Sequence, residues 1–141
     1  MKITEKQIHE ISQDLQTGLK TFINRKTYEI KSILDPNDIY SDSEIWEEEF
    51  EEIENEWSDY SIISKMESWE GFQTMEDFIK EIKDDRLKDD LIKILNRKSP
   101  FANFKAEIES SEYRQKWFDF RDFKHEVYVK EKLKEEQIKI E

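Results

Sequence analysis

The residues best suited to do chemistry in this chain are carboxylates, and they are concentrated in one segment. The stretch "SDSEIWEEEFEEIENEWSD", residues 41–59, contains no lysine or arginine. Residues 35–59 hold twelve acidic side chains and no basic one, which accounts for the whole net charge of −12. Carboxylates at this density could bind cations, act as acid and base, or present a negative face to a partner.

A calcium loop is the first possibility. Asp38, Asp42 and Glu49 match positions 1, 5 and 12 of an EF-hand. Position 3 is Tyr40, which supplies no carboxylate, and position 6 is Ser43, where the sharp turn requires glycine. A helix start explains these residues more simply, so we expect neither a metal nor a cofactor.

Catalytic constellations are scarce. His9 and His125 are each followed by glutamate, but neither begins the His-Glu-x-x-His pattern of zinc hydrolases. Two glycines are too few for a phosphate loop, a dinucleotide fingerprint or a nucleophile elbow, and there is no cysteine. Among 35 acids, carboxylate pairs arise by chance, and catalysis would require burial to raise one pKa. The sequence predicts a protein that is not an enzyme.

The acidic segment has the pattern of an amphipathic helix. Ser41 and Glu44 form a capping box. Large apolar residues follow at i, i+4, i+7 and i+11, namely Trp46, Phe50, Ile53 and Trp57. We call the glutamates away from this stripe the acidic face, which consists of Glu44, Glu48, Glu51 and Glu52.

The acidic face suggests how the protein acts. The sequence predicts a noncatalytic, protein-binding module, in which this face steers a basic partner. Because carboxylates one helical turn apart imitate a phosphate array, the first alternative is a nucleic-acid mimic that inhibits a DNA- or RNA-binding protein. The second alternative is an enzyme with an unrecognised carboxylate site.

A weaker candidate surface combines aromatic and basic side chains. It comprises Phe101, Phe104, Lys105, Phe118 and Arg121. Such residues can stack on single-stranded nucleic acid, but their helical spacing favours core packing, and the acidic segment would repel phosphates. We therefore expect no direct binding to nucleic acid. Since Trp117 and Phe118 are adjacent, they cannot both point into the same side of a core.

The elements that must position these residues predict a single α+β domain over residues 1–141. An N-terminal helix over residues 3–15, with Thr4 as its N-cap, precedes a small antiparallel sheet. The sheet has a hairpin near 19–35, whose second strand includes Tyr28, and a possible third strand near 59–64. The C-terminal half is mainly helical, with starts at Ser68, at Asp84 or Asp85, at Ser99-Pro100 and at Ser111. Residues 137–141 are expected to be a frayed tail.

Composition supports a folded, soluble chain. Only 35% of residues are hydrophobic, but 13% are aromatic, and each ring can bury about 150–250 Å². Nothing resembles a signal peptide, and no run of 18 apolar residues occurs. We expect a cytoplasmic protein without a membrane partner.

The second half of the chain resembles a known family. "SWEGFQTMEDFIKEI", "LIKIL", "PFANFKAEI" and "WFDFRD" follow one another in this order. Together they resemble an uncharacterised bacterial protein family of the UPF series, serial one-five-eight, over about residues 60–125. The hairpin "TFINRKTYEIKSILD" is more loosely similar. The family usually has Gly-x-Gly before its Phe-x-x-Phe and two basic residues inside it, where this chain has Arg97-Lys98-Ser99 and Ala102-Asn103. The resemblance implies a fold and no activity.

Overall fold

The structure, a computed structural model, describes residues 1–34, 51, 53 and 57–141. Its elements in chain order are α1 (Glu5–Gln16), β1 (Lys20–Asn24), β2 (Ile30–Ile33), a 3-10 helix (Trp57–Asp59), β3 (Tyr60–Ile63), α2 (Ser68–Ile79), α3 (Asp85–Leu95), α4 (Pro100–Glu109) and α5 (Arg114–Glu135). The predicted α+β class is therefore confirmed, with its N-terminal helix, its three-stranded sheet and its helical second half.

The chain divides into two compact units. The first consists of Met1–Lys65 and His125–Glu141, and the second of Met66–Lys124. Helix α5 contributes residues to both. The single domain over residues 1–141 stays a prediction.

The first unit is built around an antiparallel sheet in the order β2-β1-β3. Phe22 in the central strand lies opposite Lys31 on one side and Ile62 on the other. Since side chains alternate between the faces of a strand, Phe22 and Ile23 belong to opposite faces, and both are buried. On the face of Phe22, a buried cluster also contains Ile33, Ile53 and Tyr60.

The hairpin turn contains no glycine, and the side chain of Asn24 stabilises it. Its carboxamide oxygen accepts hydrogen bonds from the backbone N–H of Lys26 at 2.8 Å and of Thr27 at 3.1 Å. This is an Asx-type turn. Tyr28, which the sequence pattern assigns to the second strand, instead lies in the turn with a left-handed φ of 63°. Its hydroxyl accepts a hydrogen bond from the Lys139 N–H at 3.0 Å.

Helix α1 begins as predicted. Thr4 is the N-cap, and Thr4 and Gln7 form a capping box. The apolar residues Ile8, Ile11 and Leu15 are buried. The helix contacts β1, so the N-terminal part of the chain completes the first unit.

Residues 137–141, expected to be frayed, are placed against the N-terminus of the chain. The Ile3 N–H donates to the Lys139 carbonyl at 2.8 Å, and the Glu141 N–H donates to the Ile3 carbonyl at 2.9 Å. Ile138 is buried and Ile140 forms a parallel bridge with Ile3. The alternation of Ile138 and Ile140 has the period of a strand, not of a helix, and α5 ends before it at Glu135.

The second unit is helical and has an aromatic centre. The Trp117 ring packs edge-on against Phe104, with ring centres 4.9 Å apart, and against Phe78 at 5.3 Å. The Asp84 carboxylate caps α3 by accepting from two backbone N–H groups, as predicted. Pro100 is the first residue of α4, but the N-cap Ser99 makes no side-chain hydrogen bond and has a left-handed φ of 53°.

Within the described ranges, no helix is both long enough and apolar enough to cross a membrane.

We predict that Ile53→Ala lowers the free energy of unfolding by about 2–5 kcal/mol, because it removes a fully buried side chain from the sheet cluster. Urea denaturation followed by circular dichroism measures the effect. Glu51→Ala, two residues away and exposed, is the matched control and should change stability by about 0.5 kcal/mol or less. Equal effects of the two substitutions would contradict burial of Ile53.

Candidate functional site

The acidic face is described at one position. Glu51 lies in a helical segment and its side chain is exposed. Ile53, two residues further on, is buried against the sheet. At this turn the acid therefore points outward and the apolar residue inward, as the sequence pattern predicts. The predicted site residues Glu44, Glu48 and Glu52 lie outside the described residues, as do the capping box at Ser41 and the stripe residues Trp46 and Phe50.

Trp57 corrects the predicted apolar stripe. The sequence pattern places it on the buried side of the helix, but the structure places it in the 3-10 helix before β3, with 52% of its surface exposed. Its ring is tilted by 57° to that of Phe22, with ring centres 6.3 Å apart. Residues at i and i+4 lie on one face of an α-helix, but a 3-10 helix has three residues per turn. The α-helical spacing therefore does not predict the side to which Trp57 points.

The aromatic and basic set does not form one surface. Phe104 is buried in the core of the second unit, whereas Phe101 remains 45% exposed and Lys105 is exposed. Phe118 and Arg121 do come together: the guanidinium carbon of Arg121 lies 4.9 Å from the centre of the Phe118 ring.

Phe118 interacts with two arginines. The guanidinium carbon of Arg114 lies 5.3 Å from the ring centre, in addition to that of Arg121. Phe118 is half-buried at the margin of the core that contains Trp117. Of the two adjacent aromatic residues, Trp117 therefore takes the core position and Phe118 serves as a platform for cations.

Phe101 packs against helix α2 at Gly71, the only glycine of that helix. A Cβ placed on Gly71 of α2 would lie 3.2 Å from a Phe101 ring carbon. The glycine thus gives the ring room to approach the α2 backbone closely.

Sequence reasoning missed a groove between α2 and α3. It has a volume of about 280 Å³ and is lined by Phe72, Glu76, Ile79, Lys80, Lys88, Ile92, Leu95 and Asn96. Ile92 is 44% exposed. The spacing of Phe72, Glu76 and Lys80 (i, i+4, i+8) could have indicated one side of α2.

A second concavity was also missed, and we call it the aromatic pocket. It has a volume of about 400 Å³ and is lined by Phe78, Glu81, Tyr113, Lys116, Asp119, Phe120 and Phe123. Tyr113, Lys116, Phe120 and Phe123 recur at i, i+3, i+7 and i+10. This helical period is present in the sequence and could have indicated one side of α5.

The side chains that the structure describes include no group of three or more histidine, aspartate or glutamate residues that could hold a metal ion. The described surfaces offer apolar rings beside single charges, which is chemistry suited to binding.

Fold and surface together define an acidic α+β protein with a helical second half. Residues 34–141 match the uncharacterised protein family UPF0158, and the chain belongs to that family. The match includes β3 and helices α2–α5, and it begins after β2, so the hairpin lies outside it. No curated protein and no solved structure matches the chain.

We predict that Gly71→Ala stabilises the protein, because alanine favours the helix by about 0.5–1 kcal/mol and the half-exposed Phe101 ring can move aside. Thermal unfolding measures the change. In a Phe101→Ala background the gain should be larger, since the close contact is absent. A gain that is the same in both backgrounds would contradict the packing of Phe101 on Gly71.

Proposed function

We propose that the protein is a noncatalytic, cytoplasmic protein-binding module, and that its acidic face, Glu44, Glu48, Glu51 and Glu52, steers a basic partner. The observation that carries the proposal is the charge distribution. Twelve acids and no base occur in residues 35–59, and the rest of the chain contains as many acids as lysines and arginines.

Such a distribution acts mainly on association. A field of one sign concentrated in one region attracts a partner of opposite charge and can raise its association rate by about 10–10³-fold. Interactions between exposed charges are screened over about 8 Å at physiological ionic strength, so the steering should weaken as salt is added. Glu51 is exposed and Ile53, two residues further on, is buried, which supports an outward-facing carboxylate at position 51.

Trp57 adds a contact residue of the right kind. Its ring is 52% exposed and lies directly after the acidic residues, where it packs on Phe22. Tryptophan is among the residues most often found at energetic hot spots of interfaces. Charge would then bring the partner to this surface, and the ring would provide apolar contact area.

We expect that reversing the four acids of the acidic face to lysine abolishes capture of basic proteins from cell extract at low salt, because the steering field is removed. Tagged wild-type and variant proteins are compared at low and high salt by mass spectrometry of the retained proteins. Wild-type capture should decline as salt increases.

The matched control reverses four exposed acids elsewhere, Asp89, Asp90, Glu112 and Glu131, and so changes the net charge equally. It should retain the proteins captured by wild type. Equal loss in both variants would show that net charge alone attracts the partner. Unchanged capture by the acidic-face variant would overturn the proposal.

A further inference from the structure

The aromatic pocket of the second unit has walls that are held in place. Phe78 is buried, and its ring lies 5.3 Å from that of Trp117 and 5.2 Å from that of Phe120. The Tyr113 hydroxyl accepts a hydrogen bond from the Lys83 N–H at 3.2 Å. Phe123, in contrast, is 60% exposed. The pocket therefore has a fixed floor and one accessible aromatic wall.

The rings of this region already interact with cations of the chain itself. The Lys116 ammonium lies 5.3 Å from the centre of the Tyr113 ring, and the Lys124 ammonium lies 5.4 Å from that of Phe120. The face of an aromatic ring carries negative potential and attracts a cation within about 6 Å. Tyr113 and Phe120 both line the pocket.

The charges around the pocket also favour a cation. Two carboxylates, Glu81 and Asp119, and one ammonium, Lys116, are among its lining residues. The lining therefore has one negative charge more than it has positive charges, and this local excess attracts a positively charged ligand into the pocket.

We propose that the aromatic pocket binds a quaternary ammonium group, such as that of a trimethylated lysine side chain. An unmodified ammonium is strongly hydrated and needs three acceptors when it leaves water. A quaternary ammonium has no N–H to satisfy and interacts with rings through its methyl groups. The pocket has a volume of about 400 Å³ and is lined by four aromatic residues, so it fits a quaternary ammonium better than an unmodified ammonium.

The inference rests on the proposed function in one respect, since it names a basic protein as the source of the cation. Choline carries the same chemistry, and the experiment distinguishes the two sources. The residues of the pocket are different from those of the acidic face, so each can be altered alone.

The test titrates the full-length protein with choline and, separately, with its neutral isostere 3,3-dimethylbutanol, followed by NMR. Choline should shift aromatic signals of Phe123 and Tyr113, and the neutral compound should bind several-fold more weakly. Equal binding of the two compounds would show that the positive charge contributes nothing to binding, which would overturn the proposal. The absence of choline binding would overturn it as well.

A second arm compares a lysine-containing peptide with the same peptide trimethylated at that lysine. Tighter binding of the trimethylated peptide than of choline identifies a protein segment as the source of the cation. Tighter binding of choline identifies a small molecule and leaves the pocket chemistry supported. Equal affinity for the methylated and unmethylated peptides would overturn the preference for a quaternary ammonium.

Two substitutions test the pocket itself. Phe123→Ala should weaken choline binding by about two- to fivefold, whereas Phe101→Ala, an exposed phenylalanine outside the pocket, should not change it. Lys116→Met should tighten binding by a similar factor, because it removes the competing cation from the Tyr113 ring. A merely structural effect would not tighten binding, so weakening by Lys116→Met would contradict the proposal.

The two proposals fail separately. If the acidic face steers no partner, choline binding remains, and the variant with four reversed acids still binds choline. If the pocket binds no quaternary ammonium, salt-dependent capture of basic proteins remains.

Discussion

Ile53 is the one residue of the acidic segment, among those that the structure describes, that is buried in the sheet cluster. Like charges one helical turn apart cost about 0.2–0.5 kcal/mol per pair, and the segment contains several such pairs in its sequence. Burying one isoleucine side chain contributes about 1.5–3 kcal/mol. Ile53 meets Phe22, Ile33 and Tyr60 on one face of the sheet. The hairpin and β3 therefore provide the apolar surface that Ile53 contacts, and its burial can offset the repulsion of several such pairs.

Sequence patterns predicted the elements well where local chemistry decides them. Thr4 with Gln7 and Asp84 start their helices through side-chain hydrogen bonds to backbone N–H groups, and such bonds involve residues close in the chain. The strands were recognisable because β-branched and aromatic residues cluster there. The errors occurred where tertiary contacts decide: Tyr28 adopts a left-handed turn beside Lys139, a residue far away in the sequence.

The candidate sites were harder to predict, because helical period does not distinguish a core from an open wall. Tyr113, Phe120 and Phe123 have the spacing of one side of α5 (i, i+7 and i+10), yet Tyr113 and Phe120 pack against the core and Phe123 is 60% exposed. Whether a ring is buried depends on how far the neighbouring helices extend beside it. A single sequence does not reveal this tertiary arrangement. Phe118 was different, since its adjacency to Trp117 excluded a shared core position in advance.

Aromatic residues serve two purposes in this chain. With few aliphatic residues available, Phe78, Phe104 and Trp117 fill the core of the second unit. At its margin, Phe118 accommodates two guanidinium groups. Aromatic rings thus fill a core that has few aliphatic residues, and at its margin they bind positively charged side chains through cation–π contacts.

The pairing of Ile3 with Ile140 brings the beginning and the end of the chain side by side. A tag fused to either end would consequently lie beside the same part of the first unit. Moving the tag from one end to the other would therefore not change which surface it covers. A short peptide joining the two ends could close the backbone into a ring, and new ends could then be opened at the connection between α3 and α4, where residues 96–99 are all exposed.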